Sequence, residues 1–262
     1  MCLIIFQWAP DSQTPLTLVA NRDEFHQRPS LDAHFWEDEP AIFAGRDLEK
    51  LGTWLGLAKS ETSEAFKLAA LTNFRSLDAT QYKHSRGEIT KDFLLSKLSA
   101  LDYAKQISFE DYAGFNGIFF DGGALVYCHY QKGHPPEIIS LSAGTYGLSN
   151  AKLDSPWPKV NRTKAAFSLI DKSKSKHKVA EDLFTCLQDT HLAKDSDLPK
   201  TGVGIELERM LSPAFIISPS YGTRTSSVVI IKNTTGTPLA YFQERQFSPE
   251  GMQTRTLSKQ LE

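Results

Sequence analysis

The sequence predicts an α+β fold in which antiparallel sheets carry helices on their outer sides. Strand-like runs dominate both ends of the chain, segments of helical period lie between them, and the regular strand–helix alternation of a parallel doubly wound fold is absent. The 262 residues, 40% hydrophobic and 23% charged, suffice for one large core, so a single domain over 1–262 is expected.

The first elements are LIIFQW and TLVAN, separated by APDSQTP, whose Pro and Asp mark a turn; they read as a hairpin that starts at Cys2. Short strands are expected at AIFAG, TWLGLA and FKLAALTN, each bounded by Gly, Asn or charged residues. SRGEITKDFLLSKLSALDYAKQI then takes up a helical period, with Ser85 as the cap and Glu88 completing a capping box. FNGIFF and ALVYCHY flank Asp121, Gly122 and Gly123, a turn sequence whose glycines tolerate positive φ. A strand near GTYGLSN leads through the proline-interrupted LDSPWPKVN to two helices, over RTKAAFSLIDKS and HKVAEDLFTCLQDTH, the second holding Cys186. Helix-like IELERML follows. The chain closes with SSVVIIKN and TPLAYFQERQF across Thr235 and Gly236, a last hairpin in which Val228 to Ile231 should be buried on both faces.

Charge and cysteine usage narrow the function classes. Lys plus Arg number 29 against 31 Asp plus Glu, a net charge of -2 with no basic field to attract nucleic acid. Cys2, Cys128 and Cys186 are few, odd in number and widely spaced, which fits a reducing compartment and a cytoplasmic location. The opening apolar run breaks at Gln7 before Pro10 and Asp11, so no signal peptide is expected, and no window reaches the roughly eighteen apolar residues of a transmembrane segment. Cys128, His129 and His134 lack a second cluster at zinc spacing, and no metal site is expected.

Chemistry concentrates at the N-terminus. If Met1 is removed, Cys2 carries a thiol and a free α-amine on one residue, a nucleophile beside its own base. The alternative makes Cys2 a small buried hydrophobe at the start of an edge strand. The hairpin brings ANRDEF next to Cys2, so that Arg22 would favour thiolate and Asp23 or Glu24 would hold the amine. In a regular strand Arg22 shares its face with Glu24 rather than Asp23. Asp47, Thr53 and Trp54 are expected near the mouth of the site.

The segments NRDE (21–24), GRD (45–47), GTWLGL (52–57), LTNFR (71–75), SRGE (85–88), YGLSNAKLDSPWPKV (146–160) and TRTSSVVI (223–230) together resemble the NRDE family, also called the transport-and-Golgi-organisation family. The resemblance implies a four-layer αββα sandwich like that of N-terminal-nucleophile hydrolases. Carried over from the N-terminal cysteine hydrolases of that fold, it also implies a site of Cys2, Arg22, Asp23, Asn73, Asn150 and Arg224. Cys2 would attack a carbonyl, Asp23 would hold its amine, Asn73 or Asn150 would stabilise the oxyanion, and Arg224 would orient the site or a substrate anion. Those hydrolases place the acid three positions after the arginine, where this chain has Phe25. Asn73 and Asn150 also read as strand-end residues bonding local backbone.

Two functions follow. One is an amidohydrolase or acyltransferase that forms a Cys2 acyl-enzyme on a small amide or acyl substrate and requires no cofactor. The other, implied by the family, is a non-catalytic carrier taking haem as its ligand, although no C-x-x-C-H motif is present. The sequence sets no expectation for the oligomeric state.

Overall fold

A computed structural model describes residues 2–60, 65–78, 80–233 and 238–262. Among these, thirteen strands form two antiparallel sheets. One contains β1 (Cys2–Trp8), β2 (Leu16–Phe25), β10 (Gly144–Leu148), β11 (Tyr221–Lys232), β12 (Leu239–Phe247) and β13 (Gln253–Leu261), in the order β10-β1-β2-β11-β12-β13. The other is a meander of β3 (Ser30–Phe35), β4 (Ile42–Asp47), β5 (Leu55–Lys59), β6 (Phe66–Asn73), β7 (Phe115–Phe120), β8 (Leu125–Tyr130) and β9 (Glu137–Ser140), each paired with its neighbour in sequence.

Side-chain alternation sorts each central strand between two cores. From β1, Ile4, Phe6 and Trp8 enter the space between the sheets, where they meet Leu68, Ile118 and Phe120. Leu3 and Ile5 face the other way, onto a cluster that includes Val160, Phe167 and Leu183 of α3 (Pro158–Ser168) and α4 (Lys176–Thr185). The second sheet is covered similarly: Ala69, Phe119 and Val126 pack on Ile89 and Phe93 of α1 (Arg86–Leu95) and Ala104 of α2 (Ala100–Gln106). The layers therefore run helix, sheet, sheet, helix, and each fully buried Leu or Phe contributes about 1.5–3 kcal/mol relative to exposure.

β11 behaves as its apolar run predicts. Val229 and Ile231 lie in the inter-sheet core while Val228 and Ile230 join the helix-side cluster. The β7–β8 hairpin turns through Gly122 at φ +98°, a conformation that a side chain rarely tolerates. The β11–β12 turn expected at Thr235 and Gly236 lies outside the described residues, although the two strands pair as expected.

Three expectations need correction. The helical stretch after Ser85 is two helices, because the carbonyls freed at Ser96 and Leu98 are taken by the Lys67 ammonium, 2.8 and 3.3 Å away, and Ser99 restarts the helix as a cap. Cys186 follows α4 as its C-terminal cap residue rather than lying inside it. β1 is not an edge strand, since it lies between β10 and β2. Strands β3, β9 and β13 were not legible: β13 reads QTRTLSKQL, largely polar and exposed, and forms only because β12 offers it an unpaired edge.

Candidate functional site

At the end of the sandwich where β1 begins and β2, β4, β6 and β12 finish, the sheets part around a cavity of about 320 Å³. Its wall includes one cross-strand row of the six-stranded sheet. Cys2 is paired in register with Arg22, Arg22 with Thr225, and Thr225 with Gln246, and all four line the cavity. Cys2 belongs to the inter-sheet face because it precedes Ile4 and Phe6 by even steps.

The same alternation separates the two acids. Glu24 shares the face of Arg22 and pairs with it at 3.5 Å. Asp23 turns toward the helix side, where its Oδ1 accepts a 2.7 Å bond from the Thr223 hydroxyl. Burial pushes the Asp23 carboxyl up, against the pull of Lys159. Burial also pushes the Cys2 thiol up, with Asp23 and Glu24 adding to that and Arg22 opposing it. At neutral pH the thiol of the full chain therefore keeps its proton until a base takes it.

The remaining expected residues divide. Asn73 ends β6 at the cavity wall. Asn150 lies behind it, donating from Nδ2 to the Asn73 carbonyl at 2.8 Å and accepting at Oδ1 from Ser149, whose hydroxyl also bonds the Cys2 carbonyl at 2.9 Å. Arg224 is not among the lining residues. It sits at the β-bulge between Thr223 and Thr225, and its guanidinium donates to the Phe25 and Arg28 carbonyls, tying down the β2–β3 turn. Asp47, Thr53 and Trp54 line the cavity as expected.

Several functional groups escaped sequence reading. Arg28 is held by Asp47 at 2.7 Å and by Glu49 at 3.2 Å, and Arg46 by Asp38 at 2.6 Å with its guanidinium over the Trp36 ring. Arg86, at the start of α1, lines the cavity and donates to the Gly114 carbonyl at 3.1 Å. Glu244 is only 4% exposed and burial pushes its carboxyl up to about 7, even though Ala33 N–H and the Gln246 amide both donate to it. Under Asp23 lies a further charge cluster: Lys159, whose ammonium burial lowers to about 8, and the buried Arg75–Glu208 ion pair. An inward-facing acid in the alternation of AYFQE was the available signal for Glu244; nothing local marks Lys159 or Arg75 as neighbours of Asp23.

Fold and site define a two-sheet α+β protein whose charge-lined cavity holds a thiol on an interior strand. The chain belongs to the Transport and Golgi organisation 2 family, whose model matches residues 1–249. It is 36% identical over 251 residues to the human Transport and Golgi organization protein 2 homolog, with 88% of each chain covered. The mouse homolog is 35% identical, and the Drosophila melanogaster Transport and Golgi organization protein 2 is 30% identical, at the same coverage. No described helix is long and apolar enough to cross a membrane.

Proposed function

We propose that the cavity is the site of an N-terminal cysteine amidohydrolase or acyltransferase with the N-terminal-nucleophile hydrolase fold, acting on a small amide or acyl substrate. The observation that carries this reading is the register of β1 on β2, which sets Cys2 directly opposite Arg22 at the cavity wall, with Asn73 lining the cavity from the other sheet. Met1 itself lies outside the described residues. Its removal would leave the Cys2 α-amine beside the thiol, a base whose ordinary pKa is about 7.7–8.0.

The chemistry then needs no free thiolate at rest. The amine takes the thiol proton as Sγ bonds to the carbonyl carbon, Asn73 donates to the developing oxyanion, and the leaving group departs with that proton. Water or an acceptor then attacks the thioester. Arg22 offsets the charge passing through sulfur, Asp23 supports the ammonium from the helix side, and Asn150 fixes the Asn73 backbone. Arg224 acts at one remove, by holding the turn that carries Arg28.

The haem-carrier reading would rest on the same residue. Among the described residues lining the cavity, Cys2 is the one drawn from the common haem-iron ligands Cys, His, Met and Tyr. One experiment separates the two: p-nitrophenyl acetate is mixed with chain whose Met1 removal is confirmed by intact mass. The proposal expects a burst of p-nitrophenolate and a transient acetyl adduct mapped to Cys2. Stoichiometric haemin binding that is lost in Cys2→Ala, with no acetyl adduct in the parent, would replace the enzyme by the carrier.

A further inference from the structure

The cations of the cavity are not equivalent. Arg28 is neutralised by Asp47 and Glu49, Arg46 by Asp38, and Arg22 by Glu24, while Lys50, which also lines the cavity and makes no ion pair among the described residues, is exposed to water that solvates its charge. Arg86 makes no ion pair among the described residues; its recorded partner is the neutral carbonyl of Gly114. Burial works against its charge, and Arg86 lines the same cavity as Cys2. A guanidinium offers five donors in a planar fork, and one carbonyl occupies a single donor.

A half-buried cation without a counter-charge is costly unless something supplies one. The surroundings reinforce its sign. Ser85, Arg86 and Gly87 all line the cavity, so the ten-residue α1 presents its N-terminal, positive end there. Gly87 and Gly52 touch backbone to backbone, leaving no side chain between this end of the helix and the loop that carries Thr53 and Trp54.

We infer that Arg86 is the substrate-anion residue of the cavity, selecting acyl or amide substrates that carry a carboxylate near the reacting carbonyl carbon. The inference rests on Cys2 as the nucleophile, and it assigns to Arg86 the anion-holding part that sequence comparison gave to Arg224. The carboxylate would take the open side of the guanidinium while the neighbouring carbonyl carbon faces Sγ. Neutral amides would bind without that anchor.

Two alkylating probes of nearly equal size test it, iodoacetate with its carboxylate one bond from the reacting carbon and neutral iodoacetamide. In each, sulfur displaces iodide, a C–S bond forms and the thiol proton passes to base. The ratio of the two rates at Cys2, read by peptide mass spectrometry on one preparation, cancels changes in folding or exposure. The parent is expected to favour iodoacetate by about tenfold or more and to saturate with it, as an opposite charge within a few ångströms predicts. Arg86→Gln should bring the ratio to that of a free thiol, and Arg86→Lys should keep a reduced preference. Labelling by both reagents with no anionic preference in the parent, or a preference unchanged in Arg86→Gln, overturns the role of Arg86 while leaving Cys2 as the nucleophile. Labelling by neither reagent overturns the nucleophile itself.

Discussion

Glu244→Gln should stabilise the protein at alkaline pH and do little at acid pH. Glu244 ends the inward-facing series Ala240, Phe242, Glu244 of β12 and is almost fully buried. Its carboxyl rises from an ordinary 4.5 to about 7 because burial disfavours the charge more than the Ala33 and Gln246 donors and Arg22 support it. A raised acid is protonated more in the folded than in the unfolded state, so its contribution worsens as pH climbs from 4.5 to 7 and is fully unfavourable above that. At about 1.4 kcal/mol per pKa unit, the linkage comes to about 1 kcal/mol at pH 5 and about 3 kcal/mol at pH 8. Glutamine keeps an acceptor for the Ala33 N–H and carries no charge to desolvate. Urea unfolding of parent and variant at both pH values should therefore show the variant gaining about 2 kcal/mol on the parent between pH 5 and pH 8. If the two curves lose or gain stability in parallel, the carboxyl does not titrate near 7 and the description of this end of the cavity is wrong.

Other outcomes follow from packing. Leu18→Ala, between the sheets, should cost about 2–5 kcal/mol in urea unfolding. Gly52→Ala would set a Cβ 2.5 Å from the Gly87 carbonyl carbon, so the loop and α1 must part; a loss of about 1–3 kcal/mol and faster labelling of Cys2 are expected. Arg75→Met strands the buried Glu208 carboxylate and should cost about 3–5 kcal/mol, much of it recovered in the Arg75→Met, Glu208→Leu double variant. A double-mutant cycle with no coupling between those two positions would argue against the pair.

What could be read from the sequence was governed by how far apart the partners lie in the chain. Cys2 and Arg22 could be matched because a single short turn joins β1 to β2, and the face shared by Arg22 and Glu24 follows from a period of two. The layering was legible because β11 is apolar on both faces. TRTSSVVI points Arg224 toward the cavity, whereas a bulge, which has no local signature here, turns its guanidinium onto the carbonyls of the β2–β3 turn. Arg86 sits inside a capping box that already accounts for Ser85 and Glu88, and its place at the cavity wall is created by the packing of α1 against β5 and β6 rather than by any spacing. The Asp23–Lys159–Arg75 cluster gathers residues from three separated segments and could be seen only after folding.

The central claim is that Cys2 becomes a reactive nucleophile in this cavity, and the relative alkylation rates of the three cysteines test it most directly. Cys128 and Cys186 are buried thiols that desolvation pushes up to about 12. With Met1 removed, as verified by intact mass, iodoacetamide at pH 7 should modify Cys2 at least about tenfold faster than either, and Arg22→Gln should slow it. Equal or slower modification of Cys2 than of Cys128 and Cys186 would contradict the account, whatever the cavity binds.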